Sequence, residues 1–324
     1  MYNKILLYNS GGGLGDTIQL FPLILSLKNH FKSTDFYYLS AHENHFNGKL
    51  KNYNIKINSL DLGLQYFGFR WWHLLKAKKK FLEKKLDKFD LIIDLQSKLR
   101  NTLILKRIPS LNFYSSTFNY SFCSLKKKYL SNRNLSQKTI INLEKLLDTN
   151  ITKIDFSLDN LNQAYINEAK KLLPNNNYIG FSITQGNEYR KKGWPLENFI
   201  VLAKKIVETN KIPVFFIEKE NTDIVNQIKL KVPNSLFPEH SSELACPALV
   251  TALSSRLEKS ISIDNGIMHM MGLSNVPMVV LFGPTNSEKF APQKNNVTIL
   301  DSKKLYKTDD ISQITIEDVL KNIL

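Results

Sequence analysis

The sequence predicts an α/β protein of two doubly wound domains with mainly parallel sheets, and three observations carry that expectation. The chain has 324 residues, more than a single hydrophobic core usually organises. Short apolar runs that end in glycine or polar turn residues alternate with helical patterns through both halves. The stretch from Ser260 to Thr285 reads strand, turn, helix, strand, which is a βαβ unit.

In that stretch Ser260 to Ile263 forms the strand, and Asp264 and Asn265 supply an N-cap for a helix beginning at Gly266. Ile267, Met270, Met271 and Leu273 line one face of the helix. Pro277 to Phe282 then runs apolar without a break, as a strand buried on both faces does, and stops at Gly283, Pro284 and Thr285. Ligands of such units bind beyond the carboxyl ends of the strands, where free helix N–H groups favour anions.

The same grammar opens the chain. Lys4 to Tyr8 is a strand, Ser10 to Asp16 a glycine-rich loop, and a helix follows from Thr17, with Pro22 tolerated in its first turns. The loop is not a dinucleotide fingerprint, because Asp16 stands where its last glycine belongs. Phe36 to Ser40, Phe89 to Leu95, Leu111 to Tyr114 and Ile154 to Phe156 supply further strands of a first domain over residues 1–160. A second domain, 161–324, follows with a helix from Gln163 to Leu173 and strands at Tyr178 to Ile183 and Pro213 to Ile217. A helix from Leu249 to Leu257 leads into the Ser260 strand, and Ile311 to Leu324 closes the chain, free to pack back on the first domain.

Composition narrows the function. Lys and Arg exceed Asp and Glu by 44 to 29, a net charge of +15, which favours anionic partners: phosphorylated substrates, an acidic membrane surface or nucleic acid. Lysines cluster at Lys76, Lys78 to Lys80, Lys84 and Lys85, and again at Lys126 to Lys128. Tyr66 to Lys85 sets aromatic residues before the first cluster, which suits an interfacial segment and equally an amphipathic helix packed on a sheet. No apolar run is long enough to span a bilayer and no secretion signal is expected, so the protein is assigned to the cytoplasm. Cys123 and Cys246 lack the spacing of a zinc or redox site, and His42 and His45 lack a third ligand, so neither a metal nor a cofactor is expected.

Four stretches resemble the ADP-heptose:lipopolysaccharide heptosyltransferases, a family of GT-B glycosyltransferases: GGGLGDTIQLFPL, FDLIIDLQSKLR, the KGWP at Lys192 to Pro195, and DNGIMHM through VPMVVLFGPT. Departures are Ser97 for glycine, Asn101 for serine, Glu218 for glycine and Asn265 for threonine or serine. The resemblance implies two Rossmann-like domains facing a central cleft, acceptor-binding first and nucleotide-sugar-binding second. It implies Asp16 as general base and Lys192 as the cation on the donor phosphates. On the donor side it also points to Thr184, Gln185, Glu220, Asp264, Asn265, Gly266, His269, Gly283 and Thr285; on the acceptor side, to Gly13, Gly15, Asp94, Gln96 and Arg100. The implied reaction moves heptose, with inversion, from ADP-heptose to a lipid A-core saccharide, on the inner face of a Gram-negative inner membrane that the protein contacts reversibly. Other readings are a transferase or epimerase for a different nucleotide sugar, an NAD-dependent oxidoreductase, which Asp16 disfavours, and a nucleic-acid binder, for which no basic-aromatic module is present.

Overall fold

The structure, a computed structural model, describes residues 2–10, 13–40, 43–64, 69–131, 135–186 and 188–324. The chain divides into two compact units, Met1–Phe156 and Ser157–Leu324.

The first unit holds a five-stranded parallel sheet of β1 (Lys4–Asn9), β2 (Asp35–Ser40), β3 (Asn58–Ser59), β4 (Phe89–Asp94) and β5 (Ser110–Ser115), in the order β3-β2-β1-β4-β5. Leu6, Tyr8, Phe89 and Ile92 are buried in its core together with Ala77 and Phe81 of the helix His73–Glu83. Central strands covered on both faces need the unbroken apolar runs seen in β1 and β4. After β1 the chain forms two helices rather than one, Leu14–Ile18 and Phe21–His30, and Pro22 sits in the first turn of the second, where its missing N–H costs nothing. Ile154 to Phe156 is not a strand: Ile154 N–H donates to Ser26 Oγ at 2.8 Å and the Phe156 ring packs against Phe21 and Tyr53. Its apolar spacing comes from docking on a helix, and a sheet was not needed to bury it.

The second unit repeats the plan with β6 (Tyr178–Ser182), β7 (Ile212–Phe216), β8 (Lys259–Ile263), β9 (Met278–Phe282) and β10 (Val297–Asp301), all parallel, in the order β10-β9-β8-β6-β7. The final helix, Ile316–Ile323, starts on a reciprocal capping box between Thr315 and Asp318. Val319 and Ile323 enter the core of this unit beside Phe199 and Leu281. The apolar face of this helix is used within its own unit.

Candidate active site

Strand order changes direction between β6 and β8 in the second sheet, and loops leaving such neighbours open a crevice at the carboxyl edge. The residues that follow these two strands are joined. Asn265 caps the helix Gly266–Leu273 by accepting from Met268 N–H at 2.9 Å, and its amide donates to Ser182 Oγ at 2.7 Å and to the Thr184 carbonyl at 2.8 Å. Lys192 Nζ lies 2.5 Å from Asp264 Oδ2, with side chains only 14% and 7% exposed, and 3.3 Å from the Asp264 carbonyl. Gln185 accepts from Lys192 N–H at 2.8 Å, and Trp194 fixes the loop by donating from Nε1 to the buried Ile314 carbonyl. A shielded ammonium, balanced by the Asp264 carboxylate, thus stands beside the N-terminus of a helix. Burial, opposed by the Asp264 carboxylate, lowers His269 to about 4, so the imidazole is neutral at physiological pH. It adds no charge there.

Three of the expected donor residues have environments of their own in the fold. Glu220 is exposed, and Glu218 instead reaches Thr184, accepting from its Oγ1 at 2.8 Å and from Asn221 Nδ2 at 3.1 Å. Gly283 is required by packing: a Cβ there would lie 2.8 Å from Ile311 Cβ and 2.9 Å from the Asp309 carbonyl. Asp264 spends its carboxylate on Lys192. Thr285, by contrast, keeps a buried Oγ1 with no hydrogen-bond partner among the described residues.

The first sheet changes direction between β1 and β4. Asp16 lies half-exposed in the first turn of Leu14–Ile18, preceded by Gly13, and Gly15 O accepts from Gln19 N–H at 3.0 Å. Gly11 and Gly12 of this loop, like His42, lie outside the described residues. Gln96 donates from Nε2 to Asn9 Oδ1 at 2.7 Å, tying the ends of β4 and β1 together. Asp94 is buried. It is 1% exposed and accepts from Thr102 Oγ1 at 2.6 Å, Ser115 Oγ at 2.8 Å and Gln96 N–H at 2.9 Å. Burial raises its carboxyl to about 6 against the pull of those donors, so its place is inside the scaffold that holds Gln96. Arg100, partly exposed, has a buried Nε without a partner among the described residues.

Sequence reasoning missed Glu239. Its Oε2 is buried with no hydrogen-bond partner among the described residues, and burial, with the Glu218 carboxylate adding to it, raises the acid to about 8 from an ordinary 4.5. Between those two values the folded chain keeps a proton that the unfolded chain releases, so stability falls as pH rises through that window and levels off above it. Glu239→Gln should therefore melt above the parent at pH 8, and the gap should close as pH is lowered towards 4.5. A gap that does not vary with pH would show that Glu239 is ionised in the fold.

Residues 78–320 match the sequence model of glycosyltransferase family 9 (heptosyltransferase). The chain belongs to that family. Lipooligosaccharide heptosyltransferase 2 of Campylobacter jejuni is 24% identical over 294 residues, which are 87% of this chain and 82% of that one. Among solved structures, the family 9 glycosyltransferase of Veillonella parvula superposes with a TM-score of 0.71 at 19% identity, covering 99% of this chain and 96% of the other. The E. coli heptosyltransferase WaaC with ADP superposes with a TM-score of 0.67 at 14% identity, covering 99% and 98%. The protein is a glycosyltransferase of the heptosyltransferase family, and its two parallel five-stranded sheets are those of the GT-B fold. Among the described residues no cluster of three or more metal-ligating side chains occurs, and no helix is long and apolar enough to cross a membrane.

Proposed function

We propose that this family 9 enzyme transfers heptose from ADP-heptose to the inner core of lipopolysaccharide, with inversion at the anomeric carbon. The observation that carries the reading is the shielded Lys192–Asp264 pair beside the helix start at Gly266. In the reaction the acceptor oxygen bonds to the anomeric carbon from the face opposite the diphosphate, and the carbon–oxygen bond to phosphate breaks. ADP leaves with the electron pair, and the hydroxyl proton passes to the Asp16 carboxylate. Asp16 suits this because a half-exposed carboxylate in the first turn of a helix is open to an acceptor, and the base must come within about 3 Å of the oxygen. Lys192 and the N–H groups at the helix start offset the charge growing on the diphosphate. Asp264 holds the ammonium in place and balances it before donor arrives. Glu218 and Thr184 stand at the edge where a nucleoside would lie.

The donor-binding unit stands in this reading at residues 157–324 and the acceptor-binding unit at 1–156. The enzyme works in the cytoplasm, at the inner face of the inner membrane, on a lipid A-core acceptor. A thermal-shift panel of ADP, UDP, NAD and a short oligonucleotide tests the donor assignment, since only a ligand of the folded state raises the melting temperature. ADP should do so; an equal shift by UDP, or a larger one by NAD, would reject the ADP-sugar donor.

A further inference from the structure

The helix His73–Glu83 carries two faces of different use. His73, Ala77 and Phe81, at four-residue spacing, enter the first unit's core, and Leu74 packs beside them. On the opposite side Trp71, Leu75, Lys78 and Leu82 follow at intervals of four, three and four, which is again one helical stripe. That stripe points into solvent: Trp71 and Trp72 are each 54% exposed, Leu75 83% and Leu82 57%. Burial of the first face satisfies the fold, so the second is left over. Large apolar side chains grouped in this way, unlike single exposed ones, mark a contact surface.

Charge identifies the occupant. Lys76, Lys78, Lys79, Lys84 and Lys85 are exposed around the stripe. The helix's one acid, Glu83, is taken by Lys80 at 2.9 Å. A water-soluble protein partner would need an acidic surface with an apolar groove, whereas an anionic bilayer offers negative headgroups above an apolar layer everywhere. Paired tryptophans at the end of a lysine-rich amphipathic helix fit that boundary. We infer that Trp71 to Lys85 is a monotopic docking surface for anionic lipid, with Trp71, Trp72, Leu75 and Leu82 entering the headgroup boundary and the lysines holding the phosphates. This deepens the proposed function, on which it rests for the lipid nature of the acceptor. It makes docking part apolar, so that salt weakens binding without abolishing it.

The chain reports its own docking. It has three tryptophans, and the third, Trp194, is 3% exposed with its Nε1 engaged, so a change in emission on binding comes from Trp71 and Trp72. Full-length protein should sediment with phosphatidylglycerol vesicles, not with phosphatidylcholine vesicles, and its tryptophan emission should move to shorter wavelength. Trp71→Ser/Trp72→Ser/Leu75→Ser and Lys78→Glu/Lys79→Glu/Lys84→Glu should each weaken partition by about tenfold or more, as losing several interfacial side chains implies. Both variants should keep the parent's melting temperature and its shift with ADP. Trp71→Phe/Trp72→Phe should lose the emission change and keep sedimentation. A parent that stays in the supernatant, a serine variant that sediments like the parent, or a parent whose lysine cluster binds oligonucleotide and not vesicles would each overturn the surface. Vesicle binding without an ADP shift would instead reject the donor assignment and leave the surface standing.

Discussion

Asp16→Asn is expected to lower turnover by a factor of about 10² to 10⁴, the usual worth of a positioned general base. The fold should survive, because Asp16 is half-exposed at a helix start and asparagine is well tolerated there. The loss should fall on kcat rather than on donor affinity, since the carboxylate acts on the acceptor proton. Steady-state rates with melting curves on the same preparations decide the matter. Near-normal turnover in a folded Asp16→Asn protein would remove Asp16 from the chemistry.

Lys192→Ala should have two separable effects. Removing the ammonium leaves the 7%-exposed Asp264 carboxylate without its partner, and breaking such a buried pair costs about 3–5 kcal/mol. It also removes a charge-assisted contact to the donor, worth about 1.5–3 kcal/mol, or roughly a factor of 10 to 100 in affinity. Lys192→Ala/Asp264→Asn separates them: the second change removes the stranded charge, so stability should recover while donor binding stays weak. Titration with ADP and with adenosine completes the test, because a point charge on phosphate matters little to a ligand without phosphate. Equal losses for both ligands would make Lys192 a support of the loop rather than a phosphate group's partner.

What the sequence made legible follows from how local each signal is. β9 announces itself because Met278 to Phe282 is wholly buried and ends in a turn, and the cap at Asn265 acts only three residues ahead. β10 was not foreseen, since three of its five residues are at least partly exposed and it lies at the sheet's edge. The resemblance puts Asp94 on the acceptor side; the partners that hold its carboxylate, Thr102 and Ser115, lie eight and 21 residues further on and carry no local signal. The packing demand on Gly283 has no local signal either, because Asp309 and Ile311, which lie against it, are distant in sequence. The partnership of Glu239 with Glu218 has no motif at all, since it arises where one loop folds over the end of another strand. The solvent stripe of His73–Glu83 was open in the sequence, where one amphipathic pattern served both readings; burial of Ala77 and Phe81 assigned one face to the core and exposed the other.

Mass spectrometry of lipopolysaccharide from cells lacking this protein tests the central claim most directly. The account predicts a core shortened at an inner heptose, restored by the parent gene and not by Asp16→Asn. A core of unchanged heptose content, or one restored equally by Asp16→Asn, would contradict it.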